Sequence, residues 1–120
     1  MARAVEIVLI ASVDEWLAQA SDRYVWFTKA ELDYAFSKSD PARRLAARLA
    51  AKRAATRLFG PAPRLCEIEV LPARGGPPRL ALLSRDHARQ LEERGQRLML
   101  SLTHGLTHAA ALVLLVSGAA

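Results

Sequence analysis

The chain has 120 residues, a formal net charge of +5, 52% apolar residues and 24% charged ones. That length holds one hydrophobic core, which excludes a multi-domain enzyme or a long repeat array, and the apolar content excludes an intrinsically disordered chain. Among the 17 basic residues the lysines are Lys29, Lys38 and Lys52, and the rest are arginines. Guanidinium suits bidentate contacts to phosphate and carboxylate, so an anionic ligand or an acidic partner is expected, although the Arg and Ala bias of a GC-rich genome gives the same composition.

The predicted elements run in this order. Residues 4–11 are β-rich and almost entirely apolar, the pattern of a strand buried on both faces, with Glu6 as its one anomaly. The charge at Glu6 and the Ser12-Val-Asp-Glu15 segment after it speak against a secretory signal. Ser12 to Glu15 instead fits a capping box opening a helix over residues 14–20. Thr28-Lys-Ala-Glu31 is a second such box, opening a helix to about Phe36. Ser39-Asp-Pro41 supplies a cap and a first-turn proline for the longest helix, which the sequence carries to Phe59 before Gly60-Pro61.

The second half changes period. Residues 66–71 and 78–83 read as a hairpin around Arg74-Gly-Gly-Pro77, Ser84 caps a helix to about Arg94, and residues 97–103 and 107–116 are two further strands joined at His104-Gly105. The whole is an α+β domain over residues 1–120. The apolar run at 109–116 is far shorter than the roughly 20 residues that span a bilayer. Cys66 is the single cysteine, so neither a disulfide framework nor a cysteine metal site is expected, and the protein is expected in the cytoplasm with no membrane partner.

Chemistry concentrates on the long helix. Arg44, Arg48 and Lys52 are spaced i, i+4, i+8 and form one cationic stripe, while Leu45, Leu49 and the alanines face inward. Such a stripe can hold phosphates or can be a solvated face. Few aromatics accompany it, which disfavours a nucleic-acid partner. His104 and His108 lie on a strand and turn with no third ligand evident, which disfavours zinc, and no acid is evident to orient a serine–histidine pair.

Three blocks carry a resemblance: Tyr24-Val-Trp-Phe-Thr-Lys-Ala-Glu-Leu-Asp-Tyr34, Asp40-Pro-Ala-Arg-Arg-Leu-Ala-Ala-Arg-Leu-Ala-Ala-Lys52 and Leu100-Ser-Leu-Thr-His104. In order and spacing they resemble the signature blocks of the holo-acyl-carrier-protein synthases, the small-subunit 4′-phosphopantetheinyl transferases. The resemblance implies that family's α+β fold, a small antiparallel sheet packed with a long helix and short helices, assembled as a homotrimer with active sites between subunits. It implies transfer of the phosphopantetheine arm of coenzyme A to a serine of an acyl carrier protein, with Mg²⁺. Carried over, Arg48, Lys52, Ser101 and His104 are the coenzyme A contacts, with Lys52 also in the catalytic group.

The departures from the pattern bear on activity. Glu6 stands where the family has its metal-binding Asp, and Arg53 stands where it has the metal-binding Glu. A guanidinium offers no lone pair to Mg²⁺ and does not act as a base, so no metal ligand set is expected here. Glu6 and Arg53 cancel in charge as two carboxylates and Mg²⁺ do, and an ion pair between them is expected in the vacated site. The first helix carries Ser12, Asp14 and Glu15, with Asp22 beyond it, where the family docks its acidic carrier with arginines; only Arg23 has the expected sign. Two outcomes follow. One is a catalytically impaired binding subunit, alone or in a mixed trimer with a paralogue; the other is a diverged active transferase.

Overall fold

The computed structural model describes residues 2–72 and 74–118. The elements follow the order read from the sequence: β1 (Ala2–Leu9), α1 (Ile10–Gln19), α2 (Lys29–Phe36), α3 (Pro41–Thr56), β2 (Ile68–Leu71), β3 (Arg79–Leu82), α4 (Arg85–Glu93), β4 (Gln96–His104) and β5 (His108–Ser117), with 3₁₀ turns at Arg23–Val25 and Leu65–Glu67. An antiparallel sheet in the order β1-β5-β4 holds the middle of the fold, and β2 and β3 pair as a separate antiparallel hairpin.

The Thr28 box forms with both of its bonds: the Glu31 amide donates to Thr28 Oγ1 at 3.2 Å and the Thr28 amide donates to Glu31 Oε1 at 2.9 Å. The box expected at Ser12 does not form. Helix α1 starts at Ile10 directly from β1, with Leu9 at its N-cap and no side-chain cap. The Ile10 amide donates to the Thr107 carbonyl at 2.9 Å, so the β4–β5 turn supplies the partner that a capping side chain would have supplied. Pro41 occupies the first turn of α3 as expected, but Asp40 before it is left-handed (φ 57°, ψ 57°) and makes no cap hydrogen bond. The helix ends at Thr56, one turn before the expected Phe59.

Helix α3 lies across one face of the three-stranded sheet. Its Leu45, Leu49, Ala50 and Ala51 meet Val8, Ala109 and Ala111 of the sheet together with Val13 and Leu17 of α1, Leu32 of α2 and Phe27 of the loop before α2. Ala54 and Ala55 continue the contact to Ala4, Val113 and Ile68. Alanines let the helix approach the sheet closely, and the alternating side chains of β1 and β5 fill the layer between them.

Strand β1 is not buried on both faces, contrary to its continuous apolar run. Ala4 and Val8 are buried against α3, whereas Val5 is 52% and Ile7 66% exposed on the other side. The pairings Val5 with Leu112, Ile7 with Ala110, and Leu114 with Met99 and Arg3 place one apolar surface on that open face. A period of two with both positions apolar describes a sheet covered on both sides, and this protomer covers only one.

Candidate functional site

The cationic stripe of α3 dives into the protein. Arg44 is partly exposed, Arg48 is 7% exposed and Lys52 is fully buried, so successive turns carry the charges from surface to core. Lys52 Nζ donates to Glu31 Oε1 at 2.5 Å, and the ammonium lies 5.3 Å from the centre of the Phe27 ring. Glu31 is as deeply buried, and its second oxygen accepts the Val70 amide at 2.9 Å. One carboxylate thereby ties α2, α3 and β2 together. Burial pulls the Lys52 ammonium below its usual range against the opposing pull of Glu31. The geometry gives Lys52 partners inside the core in place of the phosphate expected for it.

One turn earlier, Arg48 reaches a different environment. Its guanidinium lies 4.5 Å from the centre of the Tyr34 ring, and Nη1 donates to the Arg44 carbonyl at 3.3 Å. Burial lowers its pKa from the usual guanidinium value. Its buried Nε has no hydrogen-bond partner among the described residues. Lys38 stands 5.7 Å from the same ring, so Tyr34 is flanked by two cations. An underused buried donor among cations is suited to an anion.

Ser101 and His104 are both exposed on β4. The neighbours Leu100 and Leu102 pack against the core beneath α3, so Ser101 points to the opposite, open side of the sheet. Arg48 and Ser101 therefore lie on opposite sides of the sheet within one protomer, and the four expected coenzyme contacts do not converge there.

The expected Glu6–Arg53 ion pair is replaced by one with the next turn of the helix. Arg57 Nη1 lies 3.3 Å from Glu6 Oε2 and donates to the Val5 carbonyl at 3.1 Å. Arg57 is the C-cap of α3, one turn beyond Arg53, and basic residues on both turns leave the partner of Glu6 open until the crossing of β1 and α3 is known. Arg53 instead lays its guanidinium 5.2 Å from the centre of the Trp26 ring. Arg53 borders open space: with Thr56 it joins Trp26, Arg64 and Cys66 around a cleft of about 720 Å³.

These residues do not fit Mg²⁺. A hard divalent ion takes several oxygen ligands, whereas Glu6 faces a guanidinium and no group of three potential ligating side chains occurs among the described residues. The sign of the first helix is as read from the sequence. Ser12, Asp14 and Glu15 are exposed, while Arg23 donates to the Leu17 carbonyl at 3.1 Å and covers the Phe36 ring at 5.3 Å.

No protein-family model matches the sequence. Two curated relatives do. A holo-[acyl-carrier-protein] synthase of Treponema denticola is 35% identical over 115 residues, covering 92% of this chain and 94% of the relative. One of Moorella thermoacetica is 40% identical over 96 residues, 76% of this chain and 73% of the relative. Among solved structures, a Chronobacterium ammoniagenes ACPS–CoA complex superposes with a TM-score of 0.73 at 30% identity, covering 98% of this chain and 99% of that one.

Proposed function

The chain belongs to the holo-[acyl-carrier-protein] synthase family, and on that premise we propose that it binds coenzyme A and an acyl carrier protein, with phosphopantetheine transfer weakened or lost. Residues 1–120 act as one domain in this reading, and the coenzyme lies between protomers. One protomer offers Arg48 beside Tyr34, with His104 on the same side of its sheet at the end of β4, opposite buried Ala109; another offers Ser101 from its open face. The single observation that carries the assignment is the placement of Arg48 and Ser101 on opposite sides of one sheet, because a contact set split in this way closes only across an interface.

The open face of the sheet supplies that interface. Val5, Ile7, Met99, Leu112 and Leu114 form one contiguous apolar surface across the three strands. Contiguous apolar surface of this kind marks a protein contact, and a copy of the same chain, or a paralogue in a mixed assembly, is complementary in character. We expect a trimer by native mass measurement. Leu112→Asp places a charge in the centre of the face and should leave monomers; a wild-type chain that is already monomeric would remove this part of the proposal.

Loss of transfer follows from the site chemistry. A divalent ion would stabilise phosphoryl charge, and its absence along with the loss of a base forfeits on the order of 10³-fold in rate or more. The test mixes the protein with coenzyme A, Mg²⁺ and a panel of apo carrier proteins and reads the carrier mass. Unmodified carriers together with measurable coenzyme A binding support the binding subunit. Modification of any carrier establishes the second reading, an active diverged transferase, which the names of the curated relatives favour.

A further inference from the structure

Arg53 is the outer rung of an aromatic ladder. Trp16 and Trp26 stack with centroids 4.0 Å apart and planes 7° from parallel, and Phe27 packs edge-on against both indoles. The Arg53 guanidinium then lies over Trp26. A cation–π contact uses none of the guanidinium's N–H groups as conventional hydrogen-bond donors, so they remain free to donate to a ligand. Among the described residues, Arg53 has no carboxylate within ion-pair distance; the pairs that form engage other cations.

The cleft that Arg53 borders also has Arg64 in its wall. Arg64 is largely exposed and makes only a 3.4 Å contact with Glu67. Asp22 is the carboxylate of the lining, and its Oδ1 accepts the Tyr24 amide at 2.9 Å to cap the 3₁₀ turn. Tyr24, Val25 and Pro63 give the cleft an apolar wall. A lone carboxylate is satisfied by a single bidentate arginine, whereas two guanidinium groups match the several oxygens and double charge of a phosphate or pyrophosphate group.

We infer that this cleft binds an organic phosphate without a divalent cation, its anionic group on Arg53 and Arg64 and its apolar portion along Tyr24, Val25 and Pro63. Where the phosphate is coenzyme A, the inference rests on the binding role proposed above. In that case the cation that the family takes from solution is built into α3.

The chain has two tryptophans, both in the ladder, so their fluorescence reads the site directly. Inorganic pyrophosphate and coenzyme A are titrated separately, each in excess EDTA and in millimolar Mg²⁺. Both ligands should change the emission in EDTA, and Mg²⁺ should leave the affinity unchanged or lower it by competing for the phosphate. Arg53→Gln should weaken both ligands about tenfold, equivalent to about 1.4 kcal/mol. Arg53→Lys should recover only part of that loss, since an ammonium cannot make the forked contact. Thermal melting of the variants checks that the fold is kept.

Binding that appears only with Mg²⁺, or an Arg53→Gln variant equal to wild type, overturns the inference. If coenzyme A binds but pyrophosphate does not, and Arg53→Gln changes nothing, the cleft assignment falls while the coenzyme reading stands. If pyrophosphate binds through Arg53 but coenzyme A does not bind, the cleft stands and the coenzyme reading falls.

Discussion

Two carboxylate–cation pairs stand on the same helix, five residues apart on the cationic side, and they have opposite characters. Lys52 and Glu31 meet at 0% side-chain exposure, while Arg57 and Glu6 meet at 59% and 31%. The inner pair is completed by the backbone amides of Thr28, at the N-cap of α2, and Val70 of β2, whereas the outer pair lies at the solvent surface. The inner charge is committed to holding the layers of the fold together. The outer charges meet each other at the surface, with Arg57 also reaching the Val5 carbonyl. Along one basic helix the cations therefore differ in environment: Lys52 is fixed in the core, while Arg57 stays at the surface.

Breaking the inner pair should have the largest effect. Lys52→Met leaves Glu31 charged and without its ammonium, which should cost about 3–5 kcal/mol of stability in chemical denaturation. The double variant Glu31→Gln with Lys52→Met keeps a carbonyl oxygen that can accept a backbone amide, and it should recover much of that loss. Glu31→Leu with Lys52→Met should recover less, by about 1–3 kcal/mol, because the Val70 amide is left without an acceptor. A Lys52→Met protein as stable as wild type would show that the two pairs do not differ as described.

Breaking the outer pair should be mild. Arg57→Ala or Glu6→Ala should change stability by at most about 1 kcal/mol, as for other exposed ion pairs. A loss as large as that for Lys52→Met would erase the contrast.

The smallest effect should come from pH. The Arg64 amide, followed by desolvation and the Arg64 side chain, sets the Glu67 carboxyl, and the balance lies below its ordinary value of 4.5. The charged form is thus the one favoured in the folded turn. Its contribution is fully present above the ordinary value and is lost as pH falls through the lower folded value. The Arg64 amide shift, followed by NMR, should titrate with a midpoint below 4.5; a midpoint at or above that value would contradict the hydrogen bond.

What the sequence revealed depended on how far each interaction reaches. The Thr28 box is local, four residues long, and formed as spelled. The Ser12 box is spelled as clearly, yet the chain had already turned helical at Ile10 because a carbonyl from the β4–β5 turn was in place to receive its amide. Periodicity and turn signals gave the α+β order, and the family blocks gave the candidate coenzyme residues. They did not reveal that Lys52 is spoken for by Glu31. Glu31 was legible as a capping residue, but its bond to Val70 spans 39 positions and leaves no periodic trace. Likewise, Arg53 and Arg57 project from adjacent turns of one helix, and the choice between them for Glu6 depends on where β1 crosses α3. The open face of β1 was hidden for a related reason, since an apolar strand reads the same whether its second cover comes from its own chain or from another.

The strand order has a consequence for how the protein is made. β5 lies between β1 and β4, and its register sets Ala2 opposite Leu115. During synthesis β1 must remain without its sheet partner until nearly the whole of this sequence has left the ribosome, and closing so long a loop is slow. The nascent chain therefore carries an unpaired apolar strand for most of its translation, and the burden of keeping it from premature aggregation falls on the helices that form in between.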